Sequence, residues 1–210
     1  MTPNRDRKQY APATLRNREP ILAILQRVLP PTGTILEIAS GTGEHAAFFA
    51  PRLSPRRWLP SDVDALNLAS IEAWREESGA ENLEAPIALD VREAVWGVEA
   101  NPTLEICAIA NINMIHISPW ACTLGLMAGA ERLLGADGIL YLYGPFKRDG
   151  VHTAASNASF DAMLRSQNAA WGVRDLDEVV QVARACNLQL LEVVEMPANN
   201  LSAIFRKITS

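Results

Sequence analysis

The sequence predicts an α/β protein of three layers, in which a mostly parallel seven-stranded sheet lies between helices and closes on a C-terminal antiparallel hairpin. Three observations carry this expectation. From Thr34 to Tyr143 short apolar runs alternate with stretches of helical periodicity, the pattern of a parallel sheet covered on both faces. The last two apolar runs, 189–195 and 201–207, are joined only by Met196-Pro-Ala-Asn-Asn200, too short for a parallel crossover. The chain has 210 residues, 49% of them hydrophobic, enough for one three-layer core but not for a second large domain. We therefore expect a single domain over 1–210, with 1–33 forming an N-terminal arm and helix.

The elements follow in order. Leu15, Ile21, Leu22, Ile24, Leu25, Val28 and Leu29 recur at helical spacing, and Pro30-Pro31 with Gly33 end that helix. Residues 34–39 read as a buried strand, 44–52 as a helix, 57–61 as a strand, and 65–77 as a helix stopped by Gly79. Asp64 is placed to cap that helix. Residues 87–89 are a short strand, 104–110 an apolar one, 119–134 a helix ending near Gly135, and 139–143 the fifth strand. Residues 147–159 are polar, show no regular period, and read as a long loop or cover. Asp175 with Glu178 three residues on reads as a capping box, opening a helix to about Cys186, with Asn187 suited to a left-handed exit.

Composition excludes several classes. A net charge of -5 is small for this length and argues against disorder, and it gives no broad basic face for a nucleic-acid backbone. The first ten residues are polar where a signal peptide has an apolar core, and the most apolar run, 104–117, is broken by Glu105, Asn111, Asn113 and His116. We expect a soluble, cytoplasmic protein without membrane partners. Cys107, Cys122 and Cys186 read as reduced core residues, and with His45, His116 and His152 they offer no metal-ligand spacing. Locally, Arg5, Arg7, Lys8, Arg16 and Arg18 outweigh Asp6 and Glu19, which makes either a solvated arm or a lid.

The junction of the first strand and its helix is the candidate ligand loop. Gly41 and Gly43 allow turn dihedrals and close approach of a ligand to the backbone. Glu37 places a charge inside an apolar strand, so a polar partner should meet it, and a ligand ammonium is one candidate. The second strand leads into Asp62, 19 residues after Gly43, near the offset at which an acid meets ribose hydroxyls. Asp90 ends the third strand, where it could reach an adenine amino group or simply cap a turn. Gly41-Thr-Gly-Glu-His-Ala46 also satisfies a dinucleotide fingerprint, and Tyr143 and Lys147 have the spacing of a short-chain dehydrogenase pair. That pair needs a helix, and Gly144-Pro145 breaks one. The acid within the first strand and the terminal hairpin favour a methyl donor over a nicotinamide.

The layout resembles that of class I S-adenosylmethionine-dependent methyltransferases. Specific stretches resemble the methyltransferase-like protein 26 family: residues 9–20, Glu37-Ile-Ala-Ser-Gly-Thr-Gly-Glu-His45, Ile112-Asn-Met-Ile-His-Ile-Ser-Pro-Trp120, 143–153 and Trp171-Gly-Val-Arg-Asp175. The resemblance runs from about Tyr10 to Lys207. It implies a Rossmann-like methyltransferase fold and S-adenosylmethionine binding by Glu37, Ala39, Ser40, Gly41, Gly43, Asp62 and Asp90, to which Asn113 after the fourth strand is added. It supplies no substrate. Ala39 stands where the wider superfamily has a first glycine, and an alanine that tolerates strand-end dihedrals should give a narrower loop that still binds.

Methyl transfer is an in-line displacement, so alignment supplies most of the catalysis and a base serves only a protonated nucleophile. Loops at the carboxyl ends of the strands supply the candidates. His116 is the base candidate, with a structural histidine as the alternative, and Tyr10 joins it from the N-terminal segment. Arg16, Asn17, Phe146, Lys147 and His152 are substrate candidates, and the arginine forks suit a small anionic molecule. Trp120 and Trp171 read as core residues or pocket walls. The main expectation is a methyltransferase acting on a small molecule. A cofactor-binding module without transfer activity, acting through a protein partner, is the second, and a nicotinamide oxidoreductase the third.

Overall fold

The computed structural model describes residues 7–101 and 103–209, so Arg5 and Asp6 of the basic segment lie outside the described residues. Helix α1 (Thr14–Val28) buries Ile21, Leu22 and Leu25 on one face, and the chain turns extended at Leu29 before the two prolines. Strand β1 (Thr34–Ile38) is buried throughout and leads through the glycine loop into α2 (Glu44–Phe49). Strand β2 (Arg57–Asp62) pairs in parallel with β1, Glu37 lying opposite Pro60. Helix α3 (Ala65–Ser78) is capped by Asp64, which accepts from the Leu66 and Asn67 N–H groups, and it ends at Gly79 with a left-handed φ of 59°. Strand β3 (Ile87–Ala88) is only two residues long, and β4 (Ile106–Ile112) follows.

Helix α4 (Trp120–Leu133) precedes β5 (Ile139–Gly144). The polar stretch expected to be an irregular cover is instead regular: β6 (Phe146–Arg148), β7 (Val151–His152) and helix α5 (Ala155–Gln167). Asp149 and Gly150 both take positive φ, 50° and 75°, the conformation that an Asp-Gly hairpin turn requires. Helix α5 escaped the periodicity reading because Leu164 is its one large aliphatic buried side chain, its other buried residues being Asn157 and Asp161. Strand β8 (Arg174–Asp175) leads directly into α6 (Leu176–Ala185), capped by Asp175 through the Asp177 N–H. Asn187 takes the left-handed exit at φ 55°. The long strands β9 (Leu188–Met196) and β10 (Asn200–Lys207) then pair antiparallel.

The seven-stranded sheet has the order β3-β2-β1-β4-β5-β10-β9, and a small second sheet has the order β7-β6-β8. Its parallel strands and antiparallel C-terminal pair match the expected class. By contacts the chain forms two compact units. The first runs to Asp90 and includes Trp96–Ala110; Ile35, Leu36, Ile38, Phe49, Trp58 and Ile71 fill its core. The second comprises Val91–Val95 and the chain from Asn111 onward, with Leu126, Leu140, Leu142, Phe146 and Phe205 inside. Each such side chain removed from water contributes roughly 1.5–3 kcal/mol before chain entropy is set against it. No helix among the described residues is long and apolar enough to cross a membrane.

Candidate functional site

In the first unit, the backbone leaving β1 makes three left-handed turns, at Ala39 (φ 56°), Gly41 (φ 57°) and Gly43 (φ 89°). The sequence expectation for Ala39 is corrected: it does not take a strand-end dihedral, and a left-handed conformation costs an alanine roughly 1–2 kcal/mol. The two glycines serve different ends. A Cβ on Gly43 would lie 2.7 Å from the Ile71 Cα, so this glycine lets α2 approach α3. A Cβ on Gly41 would meet nothing within 4 Å, so its backbone faces open space.

Two carboxylates brace this loop. Glu37, buried in β1, accepts at Oε2 from the Ser40 hydroxyl (2.8 Å) and from Trp58 Nε1 (3.0 Å). Sequence reading asked for a polar partner and overlooked Trp58, which β2 brings alongside β1. Burial nonetheless pushes the Glu37 carboxyl up to about 7 against those two hydrogen bonds, and the Asp62 charge adds to the rise. Asp62 is also buried. Its Oδ2 accepts the Gly41 N–H (2.9 Å), while Oδ1 accepts from the Asp64 N–H (2.9 Å) and Asn67 Nδ2 (3.2 Å). A carboxylate has about four acceptor positions, so three donors leave room for one more. Asp90 stands just beyond β3 in the same unit and is half-buried.

The N-terminal segment is bound to the same unit. The Gln9 N–H donates to Ser70 Oγ (2.7 Å), whose own hydroxyl donates to the Thr42 carbonyl (2.7 Å) within the glycine loop. The Ala11 N–H donates to Glu44, the first residue of α2, and Trp74 Nε1 donates to the Gln9 carbonyl. Tyr10 is exposed and lies edge-on to Trp74 at 5.3 Å. Arg16 is exposed, whereas Asn17 is buried and holds His45 Nε2 at 2.8 Å. The Asn17 Oδ1 is thus engaged with α2 through His45.

Asn113, His116, Phe146, Lys147 and His152 all belong to the second unit. Asn113 takes a left-handed turn at the end of β4 and donates its N–H to the Tyr143 carbonyl. His116 is fully buried, its ring meeting Phe146 edge-on at 5.0 Å. The Arg174 N–H points at His116 Nδ1 (3.3 Å), which places the ring proton on Nε2. Burial, reinforced by the Arg174 charge, pulls its pKa down to about 3. A neutral Nε2–H is a donor, so this geometry speaks against the general-base role expected for His116. A Cβ on Gly144 would sit 2.5 Å from His116 Nε2 and 3.1 Å from Asn113 Oδ1, which explains a glycine there. Phe146 is fully buried, and Lys147 and His152 reach Asp161 on α5, a residue the sequence reading missed.

A family model described as a protein of unknown function, DUF938, matches residues 8–207. The chain belongs to the DUF938 family. Solved structures place the fold of this DUF938 chain. It is similar to an O-methyltransferase family protein of Burkholderia thailandensis at 13% identity and a TM-score of 0.77, over 94% of this chain and 58% of that one. It is similar to human N-acetylserotonin methyltransferase, solved in complex with S-adenosylmethionine, at 12% identity and a TM-score of 0.74, over 94% and 53%. A Galdieria sulphuraria protein described as a sarcosine dimethylglycine methyltransferase matches at 17% and 0.69, over 96% and 92%. The chain spans little more than half the length of the first two. At these identities the likeness shows the fold alone, the one that these methyltransferase structures share.

Proposed function

We propose that this DUF938 protein is an S-adenosylmethionine-dependent methyltransferase acting on a small molecule. The observation that carries the reading is the loop of residues 39–43, whose three left-handed turns leave Gly41 open while Asp62 fixes its N–H. The motifs that resemble the methyltransferase-like protein 26 family support the same reading.

The residues present fit the cofactor. The raised Glu37 carboxyl is a buried acid whose ionised form a cationic ligand group would stabilise. Gly41 offers uncovered backbone, and Asp62 keeps one acceptor position for a ribose hydroxyl. Ala39, Ser40 and Gly43 shape the turn, and Asp90 completes the proposed set within this unit. When bound, S-adenosylmethionine supplies a methyl group on a sulfonium. The chain's part is to hold donor and acceptor in line and to exclude water, which can account for most of the acceleration. His116, neutral at cellular pH, serves here as the acceptor of the Arg174 N–H and as a packing element; Tyr10 acts through the segment pinned to α2 and α3.

Calorimetric titration of the folded protein with S-adenosylmethionine and S-adenosylhomocysteine tests this. Both should bind, and Asp62→Ala should weaken both at least tenfold. No binding by either refutes the cofactor assignment, and protection against heating by NADH but not by S-adenosylhomocysteine would replace it with a nicotinamide. Binding without turnover over a broad acceptor panel would favour a module that works through a protein partner.

A further inference from the structure

In the second unit, three basic side chains converge on one carboxylate. Lys147 on β6 and His152 on β7 are directly paired across the hairpin, so their side chains share a face. Asp161 and Arg165 come from successive turns of α5. Asp161 Oδ1 accepts the Val173 N–H (2.7 Å) and Arg165 Nε (3.1 Å). Its Oδ2 faces Lys147 Nζ at 3.4 Å and His152 Nε2 at 3.3 Å. Against burial, which acts the other way, the Val173 N–H, Arg165 and Lys147 hold the Asp161 carboxyl below its usual range. Asp161 is therefore an anion throughout the neutral range, and its hydrogen-bonding capacity is taken up by the protein.

Lys147 and Arg165 are matched by Asp161 and by Asp175, which lies opposite Lys147 on β8, so a proton on His152 leaves the cluster with one positive charge in surplus. Arg165 is half-exposed and can be solvated, but the Lys147 side chain is only 18% exposed. Among the described residues its one ionic partner is the long contact to Asp161, so most of its donor capacity is unused. His152 Nε2 is turned to Asp161, and its Nδ1 is covered from solvent with no hydrogen-bond partner among the described residues. Leaving such a buried group unmet is unfavourable. One unused ammonium and one unused imidazole nitrogen thus stand on neighbouring strands, with a net positive charge once His152 is protonated.

The ligand chemistry follows from the count. A hydroxyl could meet Nδ1 but would leave the surplus charge uncompensated. A phosphate brings more charge and more oxygens than two groups can meet. A carboxylate brings one charge and two oxygens, one for Lys147 and one for His152, which donates from Nδ1 once it has taken a proton from solvent. We propose that Lys147 and His152, held by Asp161 and Arg165, form a subsite for the carboxylate of a small molecule on which the protein acts. Calling that molecule the methyl acceptor rests on the methyltransferase reading; the subsite does not.

The test uses the full chain with carbon-13-labelled histidine, titrated with acetate and succinate at constant ionic strength, with phosphate as a parallel arm. The chain has three histidines, and burial lowers His45 to about 4 and His116 to about 3, so both stay neutral at pH 7. His152 is faced by Lys147 from β6 and by Asp161 and Arg165 from α5, and Asp175 on β8 lies beyond Lys147. Saturable movement of the His152 signal is expected, with affinity at least tenfold weaker in Lys147→Gln and largely kept in Lys147→Arg. His152→Gln, followed through backbone amides of the hairpin, should also lose binding while the rest of the amide spectrum stays folded. Non-saturable shifts, unchanged affinity in Lys147→Gln, or a response to phosphate in place of carboxylates would overturn the proposal. Titration of the same sample with S-adenosylhomocysteine reads the cofactor loop separately, so either assignment can fail without the other.

Discussion

Glu37 is the residue on which the charge balance of the first unit turns. Its carboxyl titrates near 7 in the fold and near 4.5 in an unfolded chain. Between those values the folded protein keeps a proton that the unfolded chain has released, so this group makes stability fall as pH rises through the window, by a few kcal/mol at most. His45 and His116 act in the opposite sense: with folded values near 4 and 3 against 6.5, they cost stability as pH falls below 6.5. Glu37→Gln should therefore raise the melting temperature more at pH 8 than at pH 5; equal effects at both would contradict a buried, late-ionising carboxyl. The same substitution should weaken S-adenosylhomocysteine binding in calorimetry. Ala39 offers a second test at this scale. Relief of a left-handed alanine, roughly 1–2 kcal/mol, exceeds the extra chain entropy of glycine, roughly 0.4–1 kcal/mol. Ala39→Gly should stabilise the protein by about 1 kcal/mol in urea unfolding.

At the scale of elements, the strand-loop-helix unit separates packing from binding. Gly43→Ala drives a methyl group into the backbone of α3 and should cost roughly 2 kcal/mol or more, seen as a lowered melting temperature. Gly41→Ala meets no neighbour and should cost about 1 kcal/mol for its left-handed φ, yet it fills the space left open beside the loop. Its larger effect is expected on cofactor affinity, measured by calorimetry. The opposite ranking, with Gly41→Ala the more unstable and the better binder, would reverse the two roles. Asp64→Ala serves as the comparison, since losing a helix cap costs about 1 kcal/mol and touches neither glycine. In the second unit the β6–β7 hairpin has the same logic: its Asp-Gly turn sets the register that puts Lys147 opposite His152.

Over the whole molecule, the most consequential long-range link runs from the N-terminal segment through Ser70 to the Thr42 carbonyl. Ser70 is fully buried, and Ser70→Ala breaks both halves of that link. It should weaken S-adenosylhomocysteine binding several-fold, as should removal of residues 1–12, and each is checked by titration against the intact chain; unchanged affinity in both would leave the segment a mere covering of α3. How much of this could be read in advance follows from the range of the forces involved. The alternation of strands and helices, the cap at Asp64, the left-handed exits at Gly79 and Asn187 and the antiparallel terminal pair were legible, because periodicity, caps and short connections act within a few residues. The glycine loop was legible for the same reason, as was the need of Glu37 for a partner. Helix α5 was hidden because its inward face is largely polar, and an inward Asp161 looks in sequence like any surface acid. Only tertiary structure decided that Trp58 meets Glu37, that Asn17 holds His45, that Arg174 fixes the proton of His116, and that Lys147, His152 and Arg165 gather on Asp161. Apart from Arg165, which stands one helical turn from Asp161, those pairings join residues far apart along the chain, and their energies depend on burial and distance, which local sequence does not carry.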